Sequence, residues 1–308
     1  MKRSELVSVI IPAFNAALYV RRAVESVLAQ THEPVEVIVV DDGSKDETSD
    51  VLRDFGNKIL LISQNNRGPA SARNAALRVA QGQFVMFLDA DDWILPQKLK
   101  KQVGLLTNLT HAGWAYCDIA YVTDNGEKLY LASDRFSYAK RKKLEGLLFS
   151  ELILGNFIPI HAPLIRRECI DSVGHFDEDV HLIGVEDWDL LLRLASRFET
   201  IYVPDILANC VIHSGSLSAD PAERDRRRFD LLDKVIVRFY EQIRSLGSPG
   251  DRLIADTHNW FAIRHYRLGF WKESRKRFEA SLRVWPWQRK AWLYLISDYA
   301  KLIMRKCV

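Results

Sequence analysis

The sequence predicts an α/β fold built around an open parallel sheet. Two β-branched segments, residues 7–12 and 35–40, have the composition of strands that are buried on both faces. Residues 17–30 lie between them and show a helical pattern, because their Val and Leu side chains recur near one face. A strand, a helix and a second strand in this order form the repeating unit of a parallel sheet.

The same alternation continues along the chain. Helices are predicted over 46–55, 71–80 and 97–107, and strands over 59–63, 84–88 and 206–212. Residues 124–143 are polar and without periodicity, which predicts a surface loop or flap. The elements after residue 158 are mixed, and beyond residue 220 the pattern is helical.

Three carboxylates, Asp89, Asp91 and Asp92, directly follow the apolar strand over 84–88. Ligands bind outside the carboxyl ends of strands in an open sheet, and Asp42 also follows a strand end, so we expect these side chains at one edge. Clustered carboxylate oxygens suit Mg²⁺ or Mn²⁺ carrying the phosphates of a substrate. The alternative is that the acidic loop only caps the next helix.

Length and charge divide the chain into two parts. With 308 residues, we expect a catalytic domain over 1–220 and an extension over 221–308. The net charge is −7 in the first part and +10 in the second. Four cysteines form no CxxC pair, and neither a signal peptide nor a membrane-spanning run is evident, so we predict a cytoplasmic protein with at most peripheral membrane contact.

The basic extension has more than one interpretation. Five of the eight Trp residues lie between Trp260 and Trp292, interleaved with Arg and Lys clusters that include Arg305 and Lys306, as on a surface that contacts anionic lipid. The spacing of Tyr266, Gly269, Ser274, Phe278, Ser281 and Pro286 is that of one tetratricopeptide helix hairpin, which would pack on neighbouring helices or recruit a protein partner. A solvated helical face is the remaining alternative. No nucleic-acid motif accompanies the charge, so no nucleic-acid partner is expected.

Seven segments, taken together, resemble the family 2 inverting glycosyltransferases. They are VSVIIPAFN (7–15), VIVVDDGSKDET (37–48), NRGPASARNAAL (66–77), FLDADD (87–92), GHFDE (174–178), VEDWDLLLRLA (185–195) and His213. The resemblance implies the GT-A fold of nucleotide-diphospho-sugar transferases, a Rossmann-like mixed sheet with flanking helices, here with a C-terminal α-helical extension. It also implies transfer of a sugar from a nucleotide-sugar donor, most often a UDP-sugar, to a hydroxyl acceptor such as a lipid-linked glycan in cell-envelope or polysaccharide synthesis.

The resemblance further implies a role for each matching residue. Asp187 would be the general base that deprotonates the acceptor, with Glu186 orienting it, holding the acceptor or favouring the helix N-terminus. The residues implied to bind the nucleotide sugar are Pro12, Phe14, Asn15, Asp41, Asp42, Arg67, Arg73, Asp89 and Ala90. Those implied to hold Mn²⁺ or Mg²⁺ are Asp91, Asp89, Asp92 and His213. Apart from the resemblance, His161 and Trp188 are further candidates for the acceptor side.

Purely structural roles are the alternative for several of these residues. Phe14 could be a core aromatic, Asp41 and Asp42 could cap a turn, and Arg67 could be a solvated loop residue. Two other functions are alternatives. A metal-dependent nucleotidyltransferase more often has a Gly-rich N-terminal loop with Lys or Arg, which the sequence lacks, and a non-catalytic scaffold would be free to lose the acidic residues that this chain retains.

Overall fold

The computed structural model describes residues 5–138, 144–213, 221–289 and 291–296, with the side chains of 221–225 left out. The chain forms two compact units, Met1–Asp220 and Pro221–Val308. Arg305 and Lys306 lie outside the described residues, as does the side chain of Arg224. Among the described helices, none is both long and apolar enough to cross a membrane.

The first unit is built on one mixed sheet with helices around it. Its strands are β1 (Val7–Ala13), β2 (Val35–Asp41), β3 (Leu60–Ser63), β4 (Phe84–Phe87), β5 (Trp93–Ile94), β6 (Ala112–Val122), β7 (Lys128–Leu131), β8 (Pro163–Arg166) and β9 (Glu199–Val211). Its helices are α1 (Val20–Leu28), α2 (Thr48–Arg53), α3 (Pro69–Val79), α4 (Lys98–Asn108), α5 (Ala132–Arg135), α6 (Phe149–Leu152), α7 (Arg167–Val173) and α8 (Glu186–Ala195). Short 3₁₀ turns occupy Gly56–Lys58 and Val180–Leu182.

The sheet combines parallel and antiparallel strands. Among the described strands the order is β3-β2-β1-β4-β8-β6-β9-β5, and β7 pairs with β6. The first four strands are parallel, β8 runs antiparallel to both of its neighbours, and β9 is again parallel to β6. The expected parallel order therefore holds for β1 to β4, and the whole sheet is mixed, as the resemblance implied.

The core lies where the sequence is most apolar. β1 is buried along almost its whole length and β4 along all of it, because neighbouring strands flank them and helices cover the sheet. Helix α1 buries Val20, Ala23, Val24 and Val27, which share one face at helical spacing. The carboxyl ends of β1, β2 and β4 therefore leave a rigid core side by side.

Two predictions about secondary structure were wrong in part. Residues 124–138 are not an irregular loop, because they contain β7 and α5; four residues of half-exposed alternation at a sheet edge are too weak a pattern to detect. The strand predicted over 206–212 begins instead at Glu199. Pro204 and Asp205 interrupt its apolar pattern, and the pairing with β6 shifts register there, so the proline sits in a bulge.

The second unit is helical in its described part. Its helices are α9 (Pro221–Arg238), α10 (Tyr240–Arg244), α11 (Ser248–Arg267) and α12 (Trp271–Val284). A tight turn joins α11 to α12, and Gly269 occupies it with φ of 83°, a conformation that favours glycine. The Ser274 hydroxyl donates to the Ala262 carbonyl and the Ser281 hydroxyl to the Ala255 carbonyl, so both serines join α12 to α11. The hairpin is present; its assignment to the tetratricopeptide class stays a prediction.

Candidate active site

The loops after β1 and β2 form one side of the site. Phe14 is 46% exposed at the end of β1, beside the partly buried Pro12, and is therefore not a core aromatic. Asn15 has φ of 49° and accepts a hydrogen bond from the Lys45 backbone N–H (2.9 Å). The Ser44 hydroxyl in turn accepts from the Asn15 backbone N–H (3.0 Å), so the two loops are tied together.

Asp41 and Asp42 end β2 and are both buried. Asp41 accepts from the Ser44 backbone N–H (3.0 Å) and from the Ser49 hydroxyl, which matches the turn-capping alternative. Asp42 accepts from the side chain of Gln64 and the backbone N–H groups of Arg67 and Gly68 at 2.7–3.0 Å. A carboxylate has about four acceptor positions, so Asp42 holds this loop and keeps about one position for a ligand.

Arg67 lies at the open side of this loop. Its guanidinium is 67% exposed and lies 3.4 Å from the Glu178 carboxylate. Helix α3 begins two residues later, at Pro69, with Pro at its first position where no backbone donor is needed. The remaining N–H groups of that first turn, together with Arg67, suit an anion.

Arg73 lies on α3 and joins two predicted parts of the site. Its guanidinium is only 4% exposed, and it donates to Asp89 Oδ1 and to Glu186 Oε1, both at 2.7 Å. Burial lowers the pKa of Arg73, but the charges of Asp89 and Glu186 outweigh it and raise the pKa overall. Arg73 therefore holds the loop after β4 against the start of α8 instead of standing free for a phosphate.

Asp187 occupies the first turn of α8. Its Oδ1 accepts from the Trp188 backbone N–H (2.7 Å), and its Oδ2 accepts from the Asn156 side chain (3.3 Å). Burial and the neighbouring charge of Glu186 raise the pKa of Asp187 to about 7, against a lowering by Arg73. A carboxylate with this pKa is about half ionised near neutral pH and is suited to accept a proton from a hydroxyl.

Asp91 and His213 form a second pair in the site. His213 Nε2 lies 2.9 Å from Asp91 Oδ2, and the two side chains remain 15% and 31% exposed. Burial and the charges of Asp92 and Asp89 raise the pKa of Asp91 to about 6. An imidazole nitrogen and a carboxylate oxygen, close together and still reachable from solvent, fit the donor set of a Mn²⁺ or Mg²⁺ ion that also binds phosphate.

Asp92 is next to Asp91 but makes different contacts. It is 3% exposed, and its Oδ1 accepts from the Val211 backbone N–H (2.8 Å), while its Oδ2 lies 2.9 Å from His161 Nδ1. His161, predicted on the acceptor side, is also buried. Ala90, between the first two carboxylates, is 7% exposed.

Several residues at the site carry no motif and were missed. Asn156, which donates to Asp187, precedes β8 outside every matching segment. Tyr19 stacks on His213 with ring centroids 5.0 Å apart and planes 20° apart. The guanidinium carbon of Arg22 lies 3.8 Å from the centroid of the Trp93 ring, and Arg22 donates to the Asp91 backbone carbonyl (3.4 Å). These two contacts hold the acidic loop in place. The only sequence signal for Tyr19 and Arg22 is that they follow the first matching segment, and Asn156 has no such signal.

Comparison with protein families agrees with this arrangement. The model of glycosyl transferase family 2 matches residues 8–174. An uncharacterized glycosyltransferase of Rickettsia prowazekii is 34% identical over 213 residues, which cover 68% of this chain and 65% of that protein. The chain therefore spans just under two thirds of that relative's length. The Escherichia coli UDP-Glc:alpha-D-GlcNAc-diphosphoundecaprenol beta-1,3-glucosyltransferase WfaP is 26% identical over 78% of this chain and 90% of its own.

Solved structures share the fold. S. aureus TarS 1–349 in complex with UDP-GlcNAc superposes with a TM-score of 0.62 at 21% identity, covering 90% of this chain and 82% of that one. The mannosyltransferase PcManGT of Pyrobaculum calidifontis, in complex with GDP-Man and Mn²⁺, gives a TM-score of 0.58 at 21% identity, covering 96% and 80%. Similarity at this level of identity establishes the fold.

Proposed function

Because this chain belongs to glycosyl transferase family 2, we propose that it moves a sugar from a nucleotide-sugar donor to a hydroxyl acceptor, with inversion at the anomeric carbon. One observation carries the proposal: a half-buried aspartate with a pKa raised to about 7 stands beside the buried Glu186, which Arg73 links to the acidic loop after β4. The family model describes sugar transfer, so it gives no support to a nucleotidyltransferase or to a scaffold without activity.

Asp187 acts as the general base in this proposal. An inverting displacement needs one group that removes the acceptor proton on the face opposite the leaving phosphate, and it needs no covalent nucleophile. Asn156 and the Trp188 backbone N–H hold the carboxylate in one orientation. The charge of Glu186 raises the pKa of Asp187, and Arg73 holds Glu186 in place.

The loops after β1 and β2 bind the nucleotide in this proposal. The exposed ring of Phe14 can stack on a base, and the remaining acceptor position of Asp42 can take the imide N–H of uracil. Asn15, Asp41 and the buried Asp42 keep the two loops in place. The complex of TarS with UDP-GlcNAc, on the same fold, supports a UDP-sugar as the first donor to test.

The diphosphate is bound at the acidic loop. We assign Asp91 and His213 as the residues that would hold Mn²⁺ or Mg²⁺, with Asp89 beside them and Asp92 no longer among the ligands. The bound cation would neutralise charge on the departing nucleoside diphosphate. Arg67 and the first turn of α3 provide positive potential on the other side of the phosphates. The PcManGT complex with Mn²⁺ supports this assignment.

The acceptor is proposed to be a lipid-linked sugar in cell-envelope glycan or polysaccharide synthesis, at the inner face of a membrane. The name of WfaP gives a sugar diphospholipid as its acceptor, which supports this choice. The described thiols of Cys117, Cys169 and Cys210 are free, as a reducing cytoplasm allows.

The turn between α11 and α12 is the proposed membrane contact. Residues 267–272 read Arg-Leu-Gly-Phe-Trp-Lys, and all six are exposed. Leu268 is 61% exposed and Phe270 55%, between two cationic side chains. Aromatic and aliphatic tips flanked by Arg and Lys suit the interface of an anionic bilayer.

The donor site is tested by thermal stabilisation with UDP, GDP, CDP, ADP and dTDP, each with and without Mn²⁺. A ligand that binds only the folded state raises the melting temperature, so we expect the largest rise with UDP plus Mn²⁺. A rise with a different diphosphate would leave the enzyme class unchanged and identify a different nucleobase in the donor. The proposal fails if none of the five nucleotides raises the melting temperature under either condition.

A further inference from the structure

We propose that Asp92, His161 and Cys210 form a second cation site, of the zinc type, in the interior of the first unit. We call these residues the inner triad. The site shares no ligand with the neighbouring pair of Asp91 and His213, and nothing in the proposed sugar transfer requires it.

The first observation is the distance between donor atoms. One carboxylate oxygen of Asp92, one ring nitrogen of His161 and the Cys210 sulfur all lie within 4.8 Å of one another, the only such group of three among the described residues. Asp92 and His161 are 3% and 1% exposed, and Cys210 is half-buried. Buried polar groups need partners, and a cation could be a shared partner for these three donors.

The second observation is the direction of the His161 ring. Its Nδ1 lies 2.9 Å from Asp92 Oδ2, a distance at which a hydrogen bond is normal. Yet neither ring nitrogen of His161 has a hydrogen-bond partner with acceptable geometry in the described part of the chain. The Cys210 sulfur lies within 4.8 Å of one Asp92 oxygen and one His161 ring nitrogen, so a single cation could take all three as ligands.

The donor set indicates which cation would bind. Imidazole nitrogen, carboxylate oxygen and thiolate sulfur together suit Zn²⁺, whereas Mg²⁺ and Mn²⁺ prefer oxygen-rich sites. On binding, the Cys210 thiol releases its proton to solvent, and one thiolate, one carboxylate and a neutral imidazole balance the two positive charges. A water molecule would be the fourth ligand, since Asp92 already accepts from the Val211 backbone with its other oxygen.

The inner triad joins three segments that are distant in sequence. Asp92 follows β4 in the acidic loop, His161 precedes β8, and Cys210 lies near the end of β9. Asp92 is next to Asp91, and Cys210 is three residues before His213. A cation bound here would fix the backbone that carries both donor-site residues without touching the substrate.

Cobalt substitution tests the proposal without using activity. The full chain is stripped with a chelator, kept in a phosphine reductant and excess Mg²⁺, and titrated with Co²⁺. We expect about one Co²⁺ per chain with a near-ultraviolet thiolate-to-cobalt charge-transfer band, because Cys210 is the thiol in the site. Zn²⁺ should abolish the band and raise the melting temperature of the stripped protein.

The controls are matched by residue type. Cys210→Ser should lose the band and His161→Asn should weaken Co²⁺ binding at least about tenfold, whereas Cys169→Ala removes a buried thiol outside the triad and should keep the band. The wild-type spectrum decides the matter even if a variant does not fold. No band in the wild type, or an equal band in Cys210→Ser, would leave His161 and Asp92 as a structural ion pair.

Discussion

Asp187 is subject to opposing effects at a single carboxylate. It lies in the first turn of α8, where the helix dipole favours a negative charge, but burial and Glu186 disfavour that charge more strongly. The result is a carboxylate that is only partly ionised at neutral pH, as the proposed general base requires.

The pH dependence of transfer follows from this balance. Because the base acts only when unprotonated, we expect kcat/KM to rise with pH through about 7 and to level off above it. Glu186→Gln removes a like charge and should move this rise to lower pH. A pH–rate profile of both proteins measures the shift, and an unmoved acid limb in Glu186→Gln would contradict the assigned cause.

Two conservative variants separate binding from chemistry. Asp91→Asn should remove the Mn²⁺-dependent part of nucleotide stabilisation, since it alters the pair with His213. Asp187→Asn should leave nucleotide binding intact and lower kcat by at least about 100-fold. Titration calorimetry with UDP and a transfer assay provide the measurements. Equal loss of nucleotide affinity in both variants would refute the division of roles.

Arg73 should matter more for stability than any surface ion pair. Arg73→Met leaves Glu186 buried without its cation, so we expect a loss of about 3–5 kcal/mol in the free energy of unfolding. Arg21→Met is the matched control, because its partner Asp54 is 64% exposed and such pairs contribute about 0–1 kcal/mol. Denaturant unfolding compares the two. Similar losses would contradict a larger contribution to stability from the buried Arg73 ion pairs.

At the scale of elements, the turn that leads into β4 depends on a glycine. A Cβ at Gly82 would clash with the Ser8 hydroxyl and stand 2.6 Å from the Ser8 backbone nitrogen, whereas a Cβ at Gly104 in α4 would meet nothing within 4 Å. We expect Gly82→Ala to destabilise by about 1–3 kcal/mol and Gly104→Ala to stabilise by about 0.5–1 kcal/mol. Chemical denaturation distinguishes them, and two changes of the same sign would be contrary to expectation.

How far the sequence predicts each element depends on how local the signal is. β1, β2 and α3 were found within a few residues because their periodicity is continuous. β7 was missed because it is short and lies at an edge, and the start of β9 was missed because a bulge at Pro204 breaks the pattern.

The site shows the same limit. Asp187, Asp91 and His213 were proposed from motifs, and the structure brings His213 to Asp91 across more than a hundred residues. The positions of Asn156 and His161 depend on the tertiary path of a segment without motif, so no sequence spacing could indicate them. The buried role of Arg73 was also not predictable, because its partners lie on other elements.

At the scale of the whole molecule, charge is divided between the two units, with a net of −7 over 1–220 and +10 over 221–308. Attraction of the second unit to an anionic surface should therefore be strong at low salt and fall as the ionic strength rises.

Vesicle co-sedimentation tests this attraction. We expect the full chain to bind anionic vesicles at low salt, to bind neutral vesicles weakly, and to lose binding when Phe270 and Trp271 are both changed to Ser. Leu60→Ser is the matched control, since Leu60 is an exposed apolar residue of the first unit. Binding that does not depend on the salt concentration, or that survives the double change, would exclude the proposed turn as the contact.

The place of β8 in the sheet has a consequence for synthesis on the ribosome. β1 to β4 are complete once residue 87 has emerged, but the strand that pairs with β4 on its other side is not made until residues 163–166. For that interval a nascent chain carries a fully apolar strand with a bare edge, the kind of surface on which neighbouring chains aggregate. Truncations that end before residue 163 should therefore be far more prone to insolubility than those that end after residue 213.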